Sequence, residues 1–497
     1  MIYQDLEKKL DYLNDADRKL VKRAFLFAEK FHQNQKRNTG EPFVSHELET
    51  AAFIADLKLD AAAVSAALIH DVCEDTPCDL AEIRKNFGRK IASLVDGVTK
   101  LGKIKIQRKW LFLRDEKELK EFDRQAETLR KMFMAMAKDV RVVLIKLADR
   151  YHNMKTLHGI SEEKRLRIAK ETLEIYAPLA YRLGMGELKG KLEDLAFPYV
   201  YPDEYKKLKS RIADKLPQKS KYIEKLKKIL FKKLAKAGIR PIEIHGRTKH
   251  IYSLWLKLKR YDNDLSQIYD LVALRIILKN VEECYKTFGL IHNMWRPLLG
   301  RTKDYIANPK PNGYQSLHTT VFAQNNEIVE IQIRTQKMHD QAENGIAAHW
   351  HYTENKGTLD YLKRKVSKIP RGELTWIKEL VRWQKKQNSN QEVTDSLGID
   401  FFSDRIFVYT PQGDVKNLPF GATAIDFAYA IHTDIGNSLT GAKINSKMEK
   451  ISTPLRNGDI VEIIKSKKPT GPKQDWLEIV KTSLAKTSIR HWLKTKK

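Results

Sequence analysis

Leu68-Ile69-His70-Asp71-Val72-Cys73-Glu74-Asp75-Thr76 is the stretch on which the reading of the first half of the chain turns. It closes an apolar run, Ala61 to Ile69, whose residues recur at helical spacing. A buried helix therefore carries a His-Asp pair at its end, followed at once by two more carboxylates. The same periodicity runs upstream through Leu20, Ala24, Phe27, Ala28 and Phe31, and glycine and proline fall mainly at breaks such as Gly40–Pro42 and Pro77. Residues 1–190 predict an almost entirely helical region.

Two more clusters carry metal-ligand chemistry. His46 follows the turn at Gly40-Glu41-Pro42, and Asp149 lies in Leu147-Ala148-Asp149-Arg150-Tyr151-His152-Asn153. Together with His70 and Asp71 they supply two imidazoles and two carboxylates. That set suits a hard-to-borderline divalent ion, Mn²⁺ more than structural Zn²⁺. Glu74 and Asp75 add carboxylates able to orient or deprotonate a water. A lone histidine is more often structural, and a His-Asp dipeptide alone says little; the combination on a helical domain is much more specific. It resembles the HD superfamily of metal-dependent phosphohydrolases. His32 and His152 fall outside the set and read as structural.

The stretch 201–240 holds fourteen Lys/Arg against four Asp/Glu, with its leucines and isoleucines at helical spacing, and predicts a basic amphipathic helix. From 240 to 345 the pattern turns to short β-type runs between helical stretches: Leu271–Leu278, Leu317–Phe322, and Ile328–Ile333 with period-two alternation. An α+β or α/β domain follows. Asp270 opens the first of these runs and Glu330 sits within the last, a reasonable Mg²⁺ pair for a nucleoside triphosphate. Arg247, Lys249, His250, Arg275, Arg301, Lys303 and Lys310 offer partners for phosphoryl oxygens. Tyr314, in the turn Asn312-Gly313-Tyr314-Gln315, is placed to stack on a base. No Gly-x-x-x-x-Gly-Lys-Ser/Thr loop occurs, which excludes a Walker-type site.

Residues 355–400 read as helix plus linker, with Trp376 and Trp383. A small β-rich module comes next: a strand at Ile406–Tyr409, a turn at Thr410–Gly413, a short helix at Asp426–His432, a turn at Asn457-Gly458-Asp459 and a strand at Ile460–Ile464. The last thirty residues are basic and helical. In 497 residues there are three cysteines, an odd and sparse count that gives no disulfide framework or paired zinc pattern and fits a reducing cytoplasm. No signal peptide is evident, and no apolar run approaches membrane-spanning length. The net charge of +28 favours polyanions as partners: nucleotides, RNA or an anionic membrane surface.

Taken together, the motifs resemble the RelA/SpoT homologue (Rel) family, bifunctional (p)ppGpp synthetase/hydrolases. The stretches that carry the resemblance are Arg37–His46, Leu68–Thr76, Val95–Leu101, Lys146–Met154, Gly246–Ser253, Lys303–Ala307, Asn312–His318, Glu330–Thr335 and Ala347–Trp350, and it covers residues 1–465. It implies a multidomain chain: an all-α HD-type hydrolase domain over 1–195, a basic helical connector over 196–240, and an α+β nucleotidyltransferase-like synthetase domain over 241–355. Helix and linker over 356–400, a small β-grasp-like TGS domain over 401–466 and the start of a basic helical region over 467–497 complete it.

In the hydrolase half the resemblance implies Mn²⁺ on His46, His70, Asp71 and Asp149, with Glu74 and Asp75 activating water and Arg37 and Asn153 positioning (p)ppGpp. The products would be GDP or GTP and pyrophosphate. In the synthetase half it implies transfer of pyrophosphate from ATP to the 3′-hydroxyl of GDP or GTP. Asp270 and Glu330 would serve Mg²⁺, Glu330 also being a candidate base. Tyr314 would stack on guanine near Lys310, Asn312 and His318, with Arg247 and Lys249 facing ATP. Arg301-Thr302-Lys303-Asp304 matches the basic form that resembles bifunctional members. In the TGS-like module His432 would contact the 3′ end of an uncharged tRNA on the ribosome. A membrane partner loses its support, and oligomeric state stays open. The alternatives are a hydrolase-only member and a non-enzymatic ribosome- or tRNA-binding regulator. Long family members continue into further helical, zinc-binding or RNA-recognition-like, and ACT domains, whereas this sequence stops at Lys497.

Overall fold

The structure, a computed structural model, describes residues 1–102, 139–213, 215–259, 262–264, 271–310, 312–348, 405–456, 458–466 and 469–495. Asp270 and the expected helix and linker at 355–400 lie outside the described residues. The chain divides into two compact units, one of residues 1–113 and 127–381, the other of 114–126 and 382–497.

The first unit begins all-helical. Its helices are α1 (Tyr3–Glu7), α2 (Asp15–Phe31), α3 (Val44–Asp56), α4 (Ala61–Leu68), α5 (Val72–Asp75), α6 (Leu80–Gly102), α7 (Val140–Lys155), α8 (Glu162–Glu171), α9 (Ala177–Arg182) and α10 (Gly186–Val200). Asn14, Asp60 and Asp139 start α2, α4 and α7 by accepting from backbone N–H groups two or three residues on. Every residue of α4 is buried. It packs against α2, α3 and α6, so its C-terminal end opens inside the bundle, not on its surface. Arg141 ties α7 to α4: its guanidinium reaches Asp60 at 2.6 Å and Asp139 at 2.5 Å.

The basic stretch forms two helices, α11 (Pro202–Ile212) and α12 (Lys215–Lys236). The apolar stripe of α12, Ile223, Leu226, Leu230 and Leu234, is fully or almost fully buried in the core beneath the following sheet. Residues expected to be a connector therefore supply part of that core.

The mixed part runs β1 (Glu243–Thr248), α13 (Ile251–Lys259), β2 (Val272–Leu278), α14 (Val281–Met294), β3 (Lys303–Asp304), β4 (Leu317–Phe322), β5 (Ile328–Thr335) and α15 (Gln336–Asn344). The five strands lie in the order β1-β2-β5-β4-β3. β2 and β5 pair in parallel and the other pairs are antiparallel. Alternation divides the two faces. Leu274, Ile276, Leu278, Val329, Ile331, Ile333, Leu317 and Val321 face the core with α12 and α14. Their neighbours in register, among them Arg247, Arg275, Glu330, Gln332, Arg334 and His318, belong to the opposite, polar face.

A joint connects the helical and mixed parts. His250, just before α13, lies 2.7 Å from Asp194 and 3.5 Å from Glu187 of α10. Asp194 also accepts from the backbone N–H of Tyr252. A Cβ at Gly190 would stand 2.1 Å from the His250 ring, so only glycine lets α10 approach this closely. Nearby, Ile346 N donates to Leu183 O at 2.8 Å across the same boundary.

The second unit has a hairpin of β6 (Arg405–Tyr409) and β7 (Val415–Pro419). α16 (Ala424–Ile431) and α17 (Thr433–Asn437) follow, then a sheet of β8 (Leu439–Ile444), β9 (Lys447–Glu449) and β10 (Val461–Lys465) in the order β10-β8-β9. The chain closes with α18 (Trp476–Ile479) and α19 (Ser483–Thr495). α16 is buried on two sides. Phe427 packs with Ile406, Val408 and Val461, while Ile425, Ala428 and Tyr429 pack with Trp476 and Ile489. Asp426 is fully buried and accepts from Thr423, Lys481 and Thr482 backbone N–H groups.

Candidate metal centre and nucleotide cleft

Three helical segments bring the predicted ligands together. His46 comes from the first turn of α3, His70 and Asp71 from the break between α4 and α5, and Asp149 from the middle of α7. His46 Nε2 lies 3.5 Å from Asp71 and 3.3 Å from Asp149. His70 Nε2 lies 3.3 Å from Asp71 and 4.0 Å from Asp149. One ligand atom each of His46, His70 and Asp149 falls within 4.8 Å of the others.

The electrostatics draw positive charge to this centre. Burial works against charge on His46 and His70, yet Asp149 and Asp71 push His46 upward, and Asp71, Glu47 and Asp149 push His70 upward. Burial likewise opposes ionisation of Asp71, but His70 and His46 hold it down at about 2. Asp149 is driven well below the usual carboxylate range, against its burial, by Lys146 and the histidines. The Nε2 atoms of His46 and His70 are buried and without a hydrogen-bond partner. Orphaned imidazole nitrogens beside ionised carboxylates fit a divalent cation, which would take the place of ring protons.

The surroundings orient these ligands. His46 Nδ1 is 2.7 Å from His152 Nδ1, which also lies 3.0 Å from Arg37 Nη1. Burial, then the nearby His46 and Arg37, push His152 down to about 3, so its ring is neutral. Its Nδ1 then accepts, His46 donates through Nδ1, and His46 Nε2 keeps its lone pair toward the centre. Arg37 also donates to Asn153 at 2.5 Å, and Asn153 donates to Asp149. Arg37 and Asn153 thus stand beside the ligands, and His152, read as structural, braces His46. Glu74 and Asp75 are exposed at the rim on α5, and burial with the Asp71 charge raises the Asp75 carboxyl.

The second constellation lies on the polar face of the sheet. A cleft of about 110 Å³ is lined by Arg247, Lys249, His250, Ser253, Ala273, Glu330 and Gln332. Gln332 donates to Glu330 at 2.8 Å, and His318 Nδ1 lies 3.4 Å from the same carboxylate. Burial would raise Glu330, but His318, Gln332 and Lys249 hold it at about 2. Burial pushes His318 down, so it stays neutral; its Nε2 is 2.8 Å from the Tyr314 hydroxyl. Tyr314 and His318 are hydrogen-bonded, and His318 in turn lies against the Glu330 carboxylate at the cleft. Lys310 lies over the Tyr305 and Tyr314 rings, and burial, then the Lys303 charge, lower it to about 8. Lys303 pairs with His318 across β3 and β4.

Other expected residues stand differently. Arg301 is half-buried two residues before β3. Asn312 braces its own turn, accepting from Tyr314 N, and donates to Tyr181 O. Arg275, expected at a phosphate, is ion-paired with Glu343 at 3.0 Å, and Glu343 also holds the buried Arg334. His250, likewise expected at a phosphate, lines the cleft but is ion-paired into the joint. His432 ends α16 and begins α17, where its Nδ1 accepts from Asp434 N, and its side chain is 67% exposed.

Sequence reasoning missed Gln332, Lys146 and Glu47. Glu47 had a signal: it shares the apolar face of α3 with Ala51 and Ile54 at helical spacing, and a carboxylate there has to be satisfied internally.

An all-helical part with a candidate metal-ligand centre is followed by a sheet with a cation-lined polar face, two adjoining parts of different class. Family comparison gives the same division: an HD domain matches residues 24–186, the region found in RelA / SpoT proteins matches 246–357, and a TGS domain matches 406–465. Over 483 residues the chain is 45% identical to a GTP pyrophosphokinase of Myxococcus xanthus, covering 97% of this chain and 61% of that protein. It is 44% identical to a guanosine-3′,5′-bis(diphosphate) 3′-pyrophosphohydrolase of Aquifex aeolicus, covering 99% and 67%. To the bifunctional (p)ppGpp synthase/hydrolase SpoT of Escherichia coli K12 it is 41% identical, covering 98% and 66%. The chain belongs to the RelA/SpoT family, and it spans roughly three-fifths to two-thirds of the length of these relatives. No helix among the described residues is long and apolar enough to cross a membrane.

Proposed function

We propose that this chain is a bifunctional alarmone enzyme. It transfers pyrophosphate from ATP to the 3′-hydroxyl of GDP or GTP on the sheet, and hydrolyses (p)ppGpp to GDP or GTP and pyrophosphate at the helical centre. The observation that carries this reading is the presence of two separate constellations. One is the cluster of histidines and carboxylates from α3, α4, α5 and α7; the other is Glu330 on β5 with Arg247 and Lys249 in the cleft of the sheet.

In the helical centre His46, His70, Asp71 and Asp149 hold the cation, Mn²⁺ in preference to Zn²⁺. The cation supplies Lewis-acid polarisation of a phosphoryl group. Arg37, beside the ligands, pairs with substrate phosphate. Asn153 orients Asp149 and the substrate together. Glu74 and Asp75, on the exposed rim, take the proton of the attacking water, and the raised carboxyl of Asp75 suits it to that role.

In the cleft Arg247 and Lys249 receive the triphosphate of ATP, and Lys303 and Lys310 add positive charge near the transferring group. Tyr314 offers its ring to guanine. Glu330, held at about 2, is ionised at neutral pH and suited to Mg²⁺, with Asp270 as its expected companion. A carboxylate that acidic is a poor proton acceptor, so the base role requires substrate phosphates to raise it first. The unit of residues 382–497 would meet the ribosome and uncharged tRNA, with the exposed His432 as the contact.

The test uses the purified chain in two reactions. ATP, GDP and Mg²⁺ should give ppGpp, and ppGpp with Mn²⁺ should release pyrophosphate. No alarmone in the first reaction would sink the transfer activity. No pyrophosphate in the second would sink the hydrolysis, and failure of both would leave the non-enzymatic regulator.

A further inference from the structure

Glu47 belongs to neither the ligand set nor the rim, yet it is fully buried next to it. It follows His46 on α3. Its Oε2 lies 2.6 Å from His70 Nδ1 and its Oε1 lies 3.6 Å from His32 Nε2. His70 Nδ1 is 2.9 Å from the Ala67 carbonyl, which takes its hydrogen bond, and neither Glu47 oxygen has a hydrogen-bond partner, so Glu47 meets this ring as a close buried charge. The other nitrogen, Nε2, is the one near Asp71 and Asp149. On the far side His32 Nδ1 lies 2.7 Å from Gln35 Oε1. Among the described residues no lysine or arginine pairs with Glu47. A fully buried carboxylate with only imidazoles for company draws its compensation through them.

We infer that Glu47 is a positioning residue of the metal centre. Together with the Ala67 carbonyl it favours the His70 proton on Nδ1, which leaves Nε2 toward the cation, and its charge increases the electron-donating power of that nitrogen. The Ala67 carbonyl supplies the directional hydrogen bond; Glu47 supplies the charge. His32, set aside in the sequence as structural, is the outer support of the same line: Gln35, His32, Glu47, His70. The inference rests on the metal-centre reading above.

Outer partners of metal-binding histidines typically change metal affinity by about 10- to 100-fold. The experiment titrates Mn²⁺ alone into the metal-stripped chain, reading free Mn²⁺ by its electron paramagnetic resonance signal. Glu47→Gln keeps shape and removes charge, and should weaken Mn²⁺ binding by about 10- to 100-fold. Glu47→Asp keeps the charge at a shorter reach and should lose clearly less. Circular dichroism and the pyrophosphate-transfer rate of the other half report folding and should match the parent. The inference is overturned if a folded Glu47→Gln chain binds Mn²⁺ as the parent does, or if the two variants lose affinity equally, which would indicate packing alone. A loss beyond about 1000-fold would make Glu47 a direct ligand and overturn the positioning role. If Glu47→Gln does not fold, Glu47→Asp alone decides: a measurable weakening supports the role, and parental affinity overturns it. A parent chain that binds no Mn²⁺ overturns the metal centre as well.

Discussion

The joint between α10 and α13 should weaken as pH rises. Burial works against charge on His250, but Asp194 and Glu187 push it up to about 9 from an ordinary value of 6.5. A group raised in the folded state stabilises fully below its unfolded value and loses that contribution as pH climbs through its folded one. Linkage between 6.5 and 9 gives about 3 kcal/mol at pH 6, about 2 kcal/mol at pH 7.5 and under about 0.5 kcal/mol at pH 9. These are upper values, although the side chains of His250, Asp194 and Glu187 are only 14%, 29% and 29% exposed. His250→Gln removes the titration. Hydrogen exchange of the Gly186–Val200 and Ile251–Lys259 amides, compared with the parent at each pH, should show protection reduced by about 240-fold at pH 6, about 30-fold at pH 7.5 and about 2-fold at pH 9. A loss that stays constant with pH, or grows toward pH 9, would refute the ion pair as the source of the joint's stability.

Asp71→Ala should abolish phosphohydrolysis and spare transfer, and Glu330→Gln should lower transfer at least about 100-fold and spare hydrolysis; loss of both activities from either change in a folded chain would contradict two separate sites. Chelation by EDTA should stop hydrolysis, with Mn²⁺ restoring it better than Zn²⁺, as followed by pyrophosphate release. Gly345→Ala places a Cβ 2.1 Å from the Leu183 carbonyl at a residue with φ of +55°. It should destabilise the joint by about 2 kcal/mol or more, seen as faster exchange of α10 and α15 amides. Gly436→Ala places a Cβ 2.4 Å from the buried Tyr429 ring and should cost the second unit about 1–3 kcal/mol, read from exchange across α16 and α17.

Much of both sites is legible in the chain because the residues fall in short distinctive motifs within regular apolar patterns. His70 and Asp71 close an apolar run and Glu330 takes a polar place in an alternating one, and it is their combination with the other motifs that marks them as chemistry. His152 is harder. Its helix reads as ordinary, and only the 2.7 Å approach to His46 shows that it sets the other ring's proton. Arg275 and His250 show the opposite limit. Their charge was legible, but whether each faces a phosphate or a carboxylate depends on Glu343 and Asp194, which come from other elements.

By itself the sequence determined the helical first half, the strand-rich second half, the small module after 400 and the identity of the four metal-ligand candidates. Those features follow from local periodicity and from residue chemistry, which neighbours along the chain already express. The tertiary structure alone decided what stands opposite what. It brought α3, α4 and α7 together so that orphaned nitrogens meet ionised carboxylates. It put Glu47 behind His70, turned the apolar face of α12 under the sheet, and closed α10 onto His250. Such pairings join residues far apart in the chain, and their energies depend on burial and distance, which a linear pattern does not contain.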